Sequence, residues 1–185
     1  WAKKYLKKGG KVVVVTGDGE FQEGQIFEAL QTISHQRLND IIVIIDHNKI
    51  QSSQFVKKII DLKNLKRKIE SFGWFVERCD GHNFKKLNRV FKKFSTIKNK
   101  PKLLIADTIK GKGISFMEHT KIMKKQKIYK WHAGAPNDEN FFRAQHELIQ
   151  KIKLKFNKNL LNIPKFININ KNKLLKSNDN SIEIH

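Results

Sequence analysis

The sequence predicts an α/β domain: a parallel sheet with helices on both faces. Three observations carry that reading. Apolar runs rich in β-branched and aromatic residues recur at 12–16, 41–46, 74–79 and 103–107, each of strand length. Segments of helical period at 25–37, 62–72 and 84–94 separate them, so strands alternate with helices as βαβ units. The first, second and fourth runs are continuous rather than alternating, the pattern of strands covered on both faces.

Each element then leads to a polar segment. Strand 12–16 empties into Gly17-Asp18-Gly19, where glycine lets the backbone turn while Asp18 projects from the strand end. Strand 41–46 ends at His47-Asn48-Lys49, and the helix at 62–72 is ended by Gly73. Strand 74–79 leads to Asp80-Gly81-His82, and strand 103–107 to Thr108-Ile109-Lys110-Gly111-Lys112-Gly113. Right-handed crossovers place all four C-terminal ends along one edge of the sheet, where open α/β folds bind ligands. Beyond Gly113 the pattern is irregular through Trp131-His132-Ala133-Gly134-Ala135-Pro136, a length that suits an active-site loop. Asn137 or Asp138 can cap a last helix at 139–152. From 153 onward lysine and asparagine dominate. The expected organisation is one domain over 1–152 and a basic tail or linker over 153–185, with a short helix near Leu174. No internal repeat is present.

The bulk numbers bound the rest. A chain of 185 residues suits one domain with a real core, and 39% hydrophobic residues fit a globular protein. The formal net charge of +21 would suit a nucleic acid or an acidic partner. The lysines, however, are spread in pairs such as Lys3-Lys4, Lys57-Lys58 and Lys124-Lys125, which solvated helix faces explain more simply. A nucleic-acid partner is therefore not favoured. The single cysteine, Cys79, excludes an internal disulfide and a cysteine-only metal cluster, so a reducing cytoplasmic compartment is expected, with Cys79 in a core strand. No apolar run approaches the roughly 20 residues that span a bilayer, and neither a membrane span nor a signal-like segment is expected.

Asp18 and Asn48 stand 30 residues apart, 48 minus 18, about one helix plus one strand with their loops. Oxygen donors from neighbouring strand ends can share one ion. A carboxylate, an amide oxygen and a backbone carbonyl form a hard-oxygen set suited to Mg2+ or Ca2+, with phosphate oxygens completing the shell. A diphosphate is the expected co-ligand, its charge held by glycine amides and by the helix starting near Gln25.

Gly-Asp-Gly followed about thirty residues later by Asn is the pairing of the thiamine diphosphate enzymes. The run Gly17-Asp18-Gly19-Glu20-Phe21-Gln22-Glu23-Gly24-Gln25 with Glu28-Ala29, then Asp46-His47-Asn48-Lys49-Ile50-Gln51, resembles the transketolase branch. Asp80-Gly81-His82, the stretch 108–118 and the 131–136 loop extend the resemblance, which covers about 9–148. It implies the thiamine diphosphate-binding fold, in its diphosphate-binding domain. It further implies that Asp18 and Asn48 bind the metal through side chains and Ile50 through its carbonyl. Gly19 and Asn48 would contact the diphosphate. His132 matches a histidine that reaches the diphosphate and the reacting end of the sugar. Glu23 and Glu28 match acidic residues of a carboxylate network that links two active sites across a dimer interface. The implied activity is transfer of a two-carbon ketol unit from a ketose phosphate to an aldose phosphate.

In that family the glutamate that activates the aminopyrimidine lies on a separate pyrimidine-binding domain, and no such domain is visible here. The expected partner is therefore a C-terminal transketolase subunit or domain, in a homo- or hetero-oligomer, and the chain alone is expected to be inactive. Relatives also carry a segment before the first strand seen here, so the sheet should lack neighbours and show an apolar edge. After Gln51 relatives usually have an acidic residue and glycine, whereas this chain reads Ser52-Ser53-Gln54-Phe55. A remnant that binds no cofactor and a basic nucleic-acid binder are the rival readings. His82 is expected to shape its turn or cap a helix, Lys110 and Lys112 to lie on the ligand rim or in solvent, and His35 and His47 to be ordinary surface or loop residues.

Overall fold

The computed structural model describes residues 5–125 and 127–158, in two compact units divided between Gly134 and Ala135. In chain order the first unit holds β1 (Val12–Gly17), a 3-10 turn (Glu20–Gln22), α1 (Gly24–His35) and β2 (Ile41–His47). It continues with β3 (Ile50–Gln51), β4 (Gln54–Phe55), α2 (Val56–Ile59), α3 (Leu65–Ser71) and β5 (Phe75–Asp80). Then come α4 (Phe84–Thr96), β6 (Lys102–Asp107) and α5 (His119–Ile122). The second unit contains α6 (Asp138–Lys158).

The four predicted strands form one parallel sheet of order β1-β2-β6-β5. Registers Gly17↔Asp46, His47↔Asp107 and Asp80↔Asp107 bring the four C-terminal ends level, so the glycine-rich segments share one rim as expected. The side-chain period of two sorts the apolar residues to opposite faces. Val43, Ile45, Leu103 and Ile105 pack with Phe21, Leu30 of α1 and Leu65 and Ile69 of α3. Ile42, Leu104 and Ala106 pack with Val90 and Phe94 of α4. Helices therefore cover both faces of β2 and β6. Trp74, buried, ties the first layer together by donating its Nε1–H to Leu30 O at 3.0 Å.

β1 departs from the expectation of cover on both faces. Its valines 12, 13, 14 and 15 are 46%, 55%, 43% and 69% exposed, because β1 is an edge strand with only β2 beside it among the described residues. Among the described residues β1 thus presents an exposed apolar edge. Cys79 lies in a strand, but in the edge strand β5, half-buried and free.

Several boundaries differ from the sequence reading for local reasons. The helix expected from 62 begins at Leu65, because Asn64 Oδ1 accepts from Arg67 N at 3.1 Å and caps it. Leu62 instead stays in the core ahead of the helix. Asn83 caps α4 in the same way, its Oδ1 3.1 Å from Lys86 N. Asn137 caps α6, accepting from Asn140 N at 3.1 Å, and α6 continues past 152 to Lys158. The β3–β4 hairpin and α2 went unpredicted because two- and four-residue elements show no period. The expected helix near Leu174 lies outside the described residues. No described helix is long and apolar enough to cross a membrane.

Candidate functional site

The adjacency of β1 and β2 is what builds the site. Thr16 pairs with Ile45 and Gly17 with Asp46, so the chain leaving β1 meets the chain leaving β2. Asp18, 1% exposed, turns its Oδ2 to the 47–49 segment. That oxygen accepts from Lys49 N at 2.6 Å and lies 3.0 Å from His47 Nδ1. Asn48, also buried, accepts from Ile50 N at its Oδ1, 3.0 Å away, and donates from Nδ2 to Asp46 Oδ2 at 3.1 Å. Asp46 Oδ1 in turn accepts from the Thr108 hydroxyl. The amide of Asn48 therefore has its nitrogen assigned to Asp46 and its oxygen turned towards Ile50.

Gly19 fits closely against the hairpin. A Cβ at this position would stand 2.9 Å from Gln51 Cγ, so the backbone approach requires a residue without one. Gln51 Oε1 is buried without a hydrogen-bond partner among the described residues. Gly17 N donates to Glu20 Oε2 at 2.5 Å.

The remaining expected residues are placed as follows. Glu23 precedes α1 at its N-terminus, its Oε2 accepting from Gln25 Nε2 at 2.6 Å. Glu28 lies on α1 and is exposed, as is Glu23. Neither carboxylate contacts Asp18 or Asn48. His132 is exposed in the loop after β6, and its Nδ1 lies 3.0 Å from Lys110 Nζ. Lys110 thus belongs to the rim beside His132, while Lys112 pairs with Glu118 at 3.7 Å. His82 shapes its turn, as expected: its backbone N donates to Asp80 Oδ1 at 2.9 Å, and its Nε2 accepts from Ile109 N at 2.8 Å.

Other contributors were not singled out in the sequence. Lys110 N donates to His119 Nδ1 at 3.0 Å, and His119 N donates back to Lys110 O at 3.0 Å, closing the 110–119 loop. Burial, and next the charge of Lys49, push the His119 imidazole below its ordinary value. Tyr129 pins the same loop to the hairpin, its N donating to Ser53 O at 2.8 Å and its hydroxyl to Met117 O at 2.9 Å. At the end of β6, Asp107 takes a two-pronged contact from Arg78, at 2.7 and 2.8 Å. Burial would raise the Asp107 carboxyl, but the Arg78 bonds and charge, then Lys49 and His47, outweigh it and hold it low. Glu118 behaves likewise: burial opposes, and Lys121, Gly113 N and Lys112 prevail.

The donor set fits a hard divalent cation beside a diphosphate. A buried carboxylate, a buried amide oxygen and the backbone carbonyl two residues after that amide are all oxygens. Among the described residues there is no grouping of three or more His, Cys, Asp or Glu side chains that could hold a metal ion.

Comparison with known proteins defines the class. The family described as transketolase, thiamine diphosphate binding domain, matches residues 7–159. This chain belongs to that family. It is 34% identical over 151 residues to an apulose-4-phosphate transketolase subunit of Phocaeicola vulgatus, covering 82% of this chain and 51% of that protein. It is 36% identical over 166 residues to transketolase-like protein 2 of Bos taurus, covering 87% of this chain and 24% of that one. Among solved structures, the transketolase of Campylobacter jejuni superposes with a TM-score of 0.66 at 26% identity, over 76% of this chain and 21% of that one. The chain thus spans about half the length of the Phocaeicola vulgatus relative it matches, and less of the longer transketolases.

Proposed function

We propose that this chain is the thiamine diphosphate- and Mg2+-binding part of a transketolase. The proposed reaction moves a two-carbon ketol unit from a ketose phosphate to an aldose phosphate, in the cytoplasm and within carbohydrate metabolism of the pentose phosphate kind. The observation that carries the reading is the joining of two strand tips through Asp18: its buried carboxylate is bonded to the Lys49 amide, next to Asn48. Asp18 and Asn48 would hold the cation through side chains and Ile50 through its carbonyl, with Ca2+ able to replace Mg2+ on such ligands. Gly19 and Asn48 would meet the diphosphate. When bound, thiamine diphosphate supplies the nucleophilic carbon that carries the two-carbon unit.

The chain's own residues bind, orient and shield. The short turn from Gly17 to Gly19 admits the diphosphate against backbone. His132 faces solvent beside Lys110, where it can hydrogen-bond the reacting oxygen of a sugar. Glu23, just before α1, and Glu28, within α1, are exposed and available to a carboxylate network across an oligomer interface. A C-terminal transketolase subunit or domain that binds the aminopyrimidine would complete the site, in a dimer or a hetero-oligomer. The Phocaeicola vulgatus relative is named as one subunit of its transketolase, which supports a partner chain.

Isothermal titration calorimetry with thiamine diphosphate and MgCl2, with and without such a partner, tests the proposal. Saturable binding that requires the divalent cation, and two-carbon transfer once the partner is added, are the expected results. Absence of cofactor binding in both arms would leave the chain a transketolase-like remnant.

A further inference from the structure

His47 departs from the role of an ordinary loop histidine. Its Nδ1 lies 3.0 Å from Asp18 Oδ2 across 29 residues of sequence. The contact is shielded, with side-chain exposures of 15% for His47 and 2% for Asp18. A carboxylate accepts here, so Nδ1 carries the proton. Lys49 N donates to the same oxygen at 2.6 Å. Two donors therefore converge on Oδ2, and neither of them bonds Asp18 Oδ1.

This arrangement fixes a carboxylate by one oxygen and leaves the other for an ion. A single amide donor would leave the carboxylate free to rotate about its Cβ–Cγ bond. Two donors from different directions, one of them a ring packed into the turn, restrict that rotation. Ligands oriented before the ion arrives bind it more tightly, because ordering them no longer opposes binding. The amide of Asn48 is restrained in a parallel way by Asp46, which receives its Nδ2 and also the Thr108 hydroxyl.

Resting on the functional reading above, we propose that His47 is a positioning residue that orients Asp18 towards the divalent cation. It touches neither cation nor cofactor in this role and acts through Asp18. The competing role is a structural staple that only joins the tips of β1 and β2. The two differ in what is lost on substitution: a staple changes stability, whereas a positioning residue changes cation affinity in a folded protein.

Mn2+ binding followed by electron paramagnetic resonance, with thiamine diphosphate present, separates them in the full chain. His47→Phe keeps a ring and removes the donor. His47→Asn sets an amide nitrogen close to where Nδ1 stands. The expected result is affinity lowered about tenfold to a hundredfold in His47→Phe and largely retained in His47→Asn, with thermal melts confirming that both fold. If His47→Phe does not fold, His47→Gln, whose amide sits one methylene too far out, takes its place and should also weaken binding. Equal affinity in the wild type and the donor-lacking variant overturns the inference while leaving the functional reading intact. A wild type that takes up no Mn2+ overturns the functional reading and this inference together.

Discussion

Lys49 donates its backbone N–H to Asp18 Oδ2 at 2.6 Å, a bond between residues 31 apart in sequence. The bond joins the tips of two parallel strands, and the acceptor is the carboxylate expected to hold a cation. Asp18 therefore has a structural role that does not depend on any ligand. Truncating it leaves a partly buried amide without its acceptor, which costs up to about 1–3 kcal/mol. Asp18→Ala should lower the free energy of unfolding by up to that amount and abolish cation-dependent cofactor binding. Asp18→Asn keeps an oxygen for the Lys49 amide, so its melt should lie closer to the wild type while binding is still lost. Paired chemical denaturation and calorimetry check this; equal stability losses in the two variants would contradict it.

The loop after β6 turns on Gly111. Its φ of +77° lies in the left-handed region, and a Cβ there would stand 2.2 Å from Met117 O and 2.9 Å from the Tyr129 hydroxyl. Both the conformation and the space demand glycine. Gly111→Ala should destabilise by more than about 1 kcal/mol. It should also open the loop that carries Lys110, so that limited trypsin digestion cuts after Lys110 or Lys112 sooner than in the wild type. An unchanged digestion rate with an unchanged melt would count against the close packing.

The fold was legible where physics acts locally or by a simple period. Four valines before Gly17, and the isoleucines of β2, mark strands because β-branched residues crowd a helix and suit a pleated sheet. Asp18 and Asn48 could be placed on one rim because parallel strands with right-handed crossovers leave no other side for their ends. The order β1-β2-β6-β5 could not be read, since nothing in the runs says which pairs with which. The hairpin at 50–55 was hidden as well. Ser52 takes a φ of +52° there, and serine does not announce a left-handed turn as glycine does. His47 and His119 act through partners 29 and 9 residues away. Their neighbours in sequence give no sign of it, although His47 directly precedes the expected ligand Asn48.

His119 makes stability depend on pH in a stated direction. Lys110 N–H occupies its Nδ1 as a donor, so a proton added there breaks that bond, and burial already holds the imidazole below its ordinary value. An unfolded histidine gains its proton around pH 6.5. As pH falls below that point the unfolded chain holds more protons than the native one, so stability is lost on acidification, through the lowered native value. Asp107 and Glu118, both held low in the folded state, act in the same direction but only from about pH 4 downward. Calorimetry from pH 7.5 to 3.5 should show two stages of falling Tm. His119→Asn, whose amide oxygen stands close to where Nδ1 stood and can still accept from Lys110 N, should flatten the upper stage and spare the lower. An upper stage that persists in this variant would assign it to other groups.

The edge of the sheet yields the last prediction. Val13 and Val15 of β1 are 55% and 69% exposed, whereas Ile45, one strand inward, is 0% exposed. A parallel edge strand with bare apolar side chains and unpaired backbone groups is a template for association with another chain. At raised concentration the chain by itself should self-associate, and the β1 valines should govern it. Val15→Lys places a charge where the side chain contacts mainly solvent, so its stability should change by no more than about 1 kcal/mol. Its light scattering should nonetheless drop well below that of the wild type. Ile45→Lys supplies the contrast, because a lysine in the closed core leaves an unpaired charge buried and unfolds the domain. Were Val15→Lys to unfold the chain as Ile45→Lys does, β1 would be a covered strand in solution. Were scattering unchanged, the association would run through another surface. The two outcomes are separable by far-ultraviolet circular dichroism alongside multi-angle light scattering on the same samples.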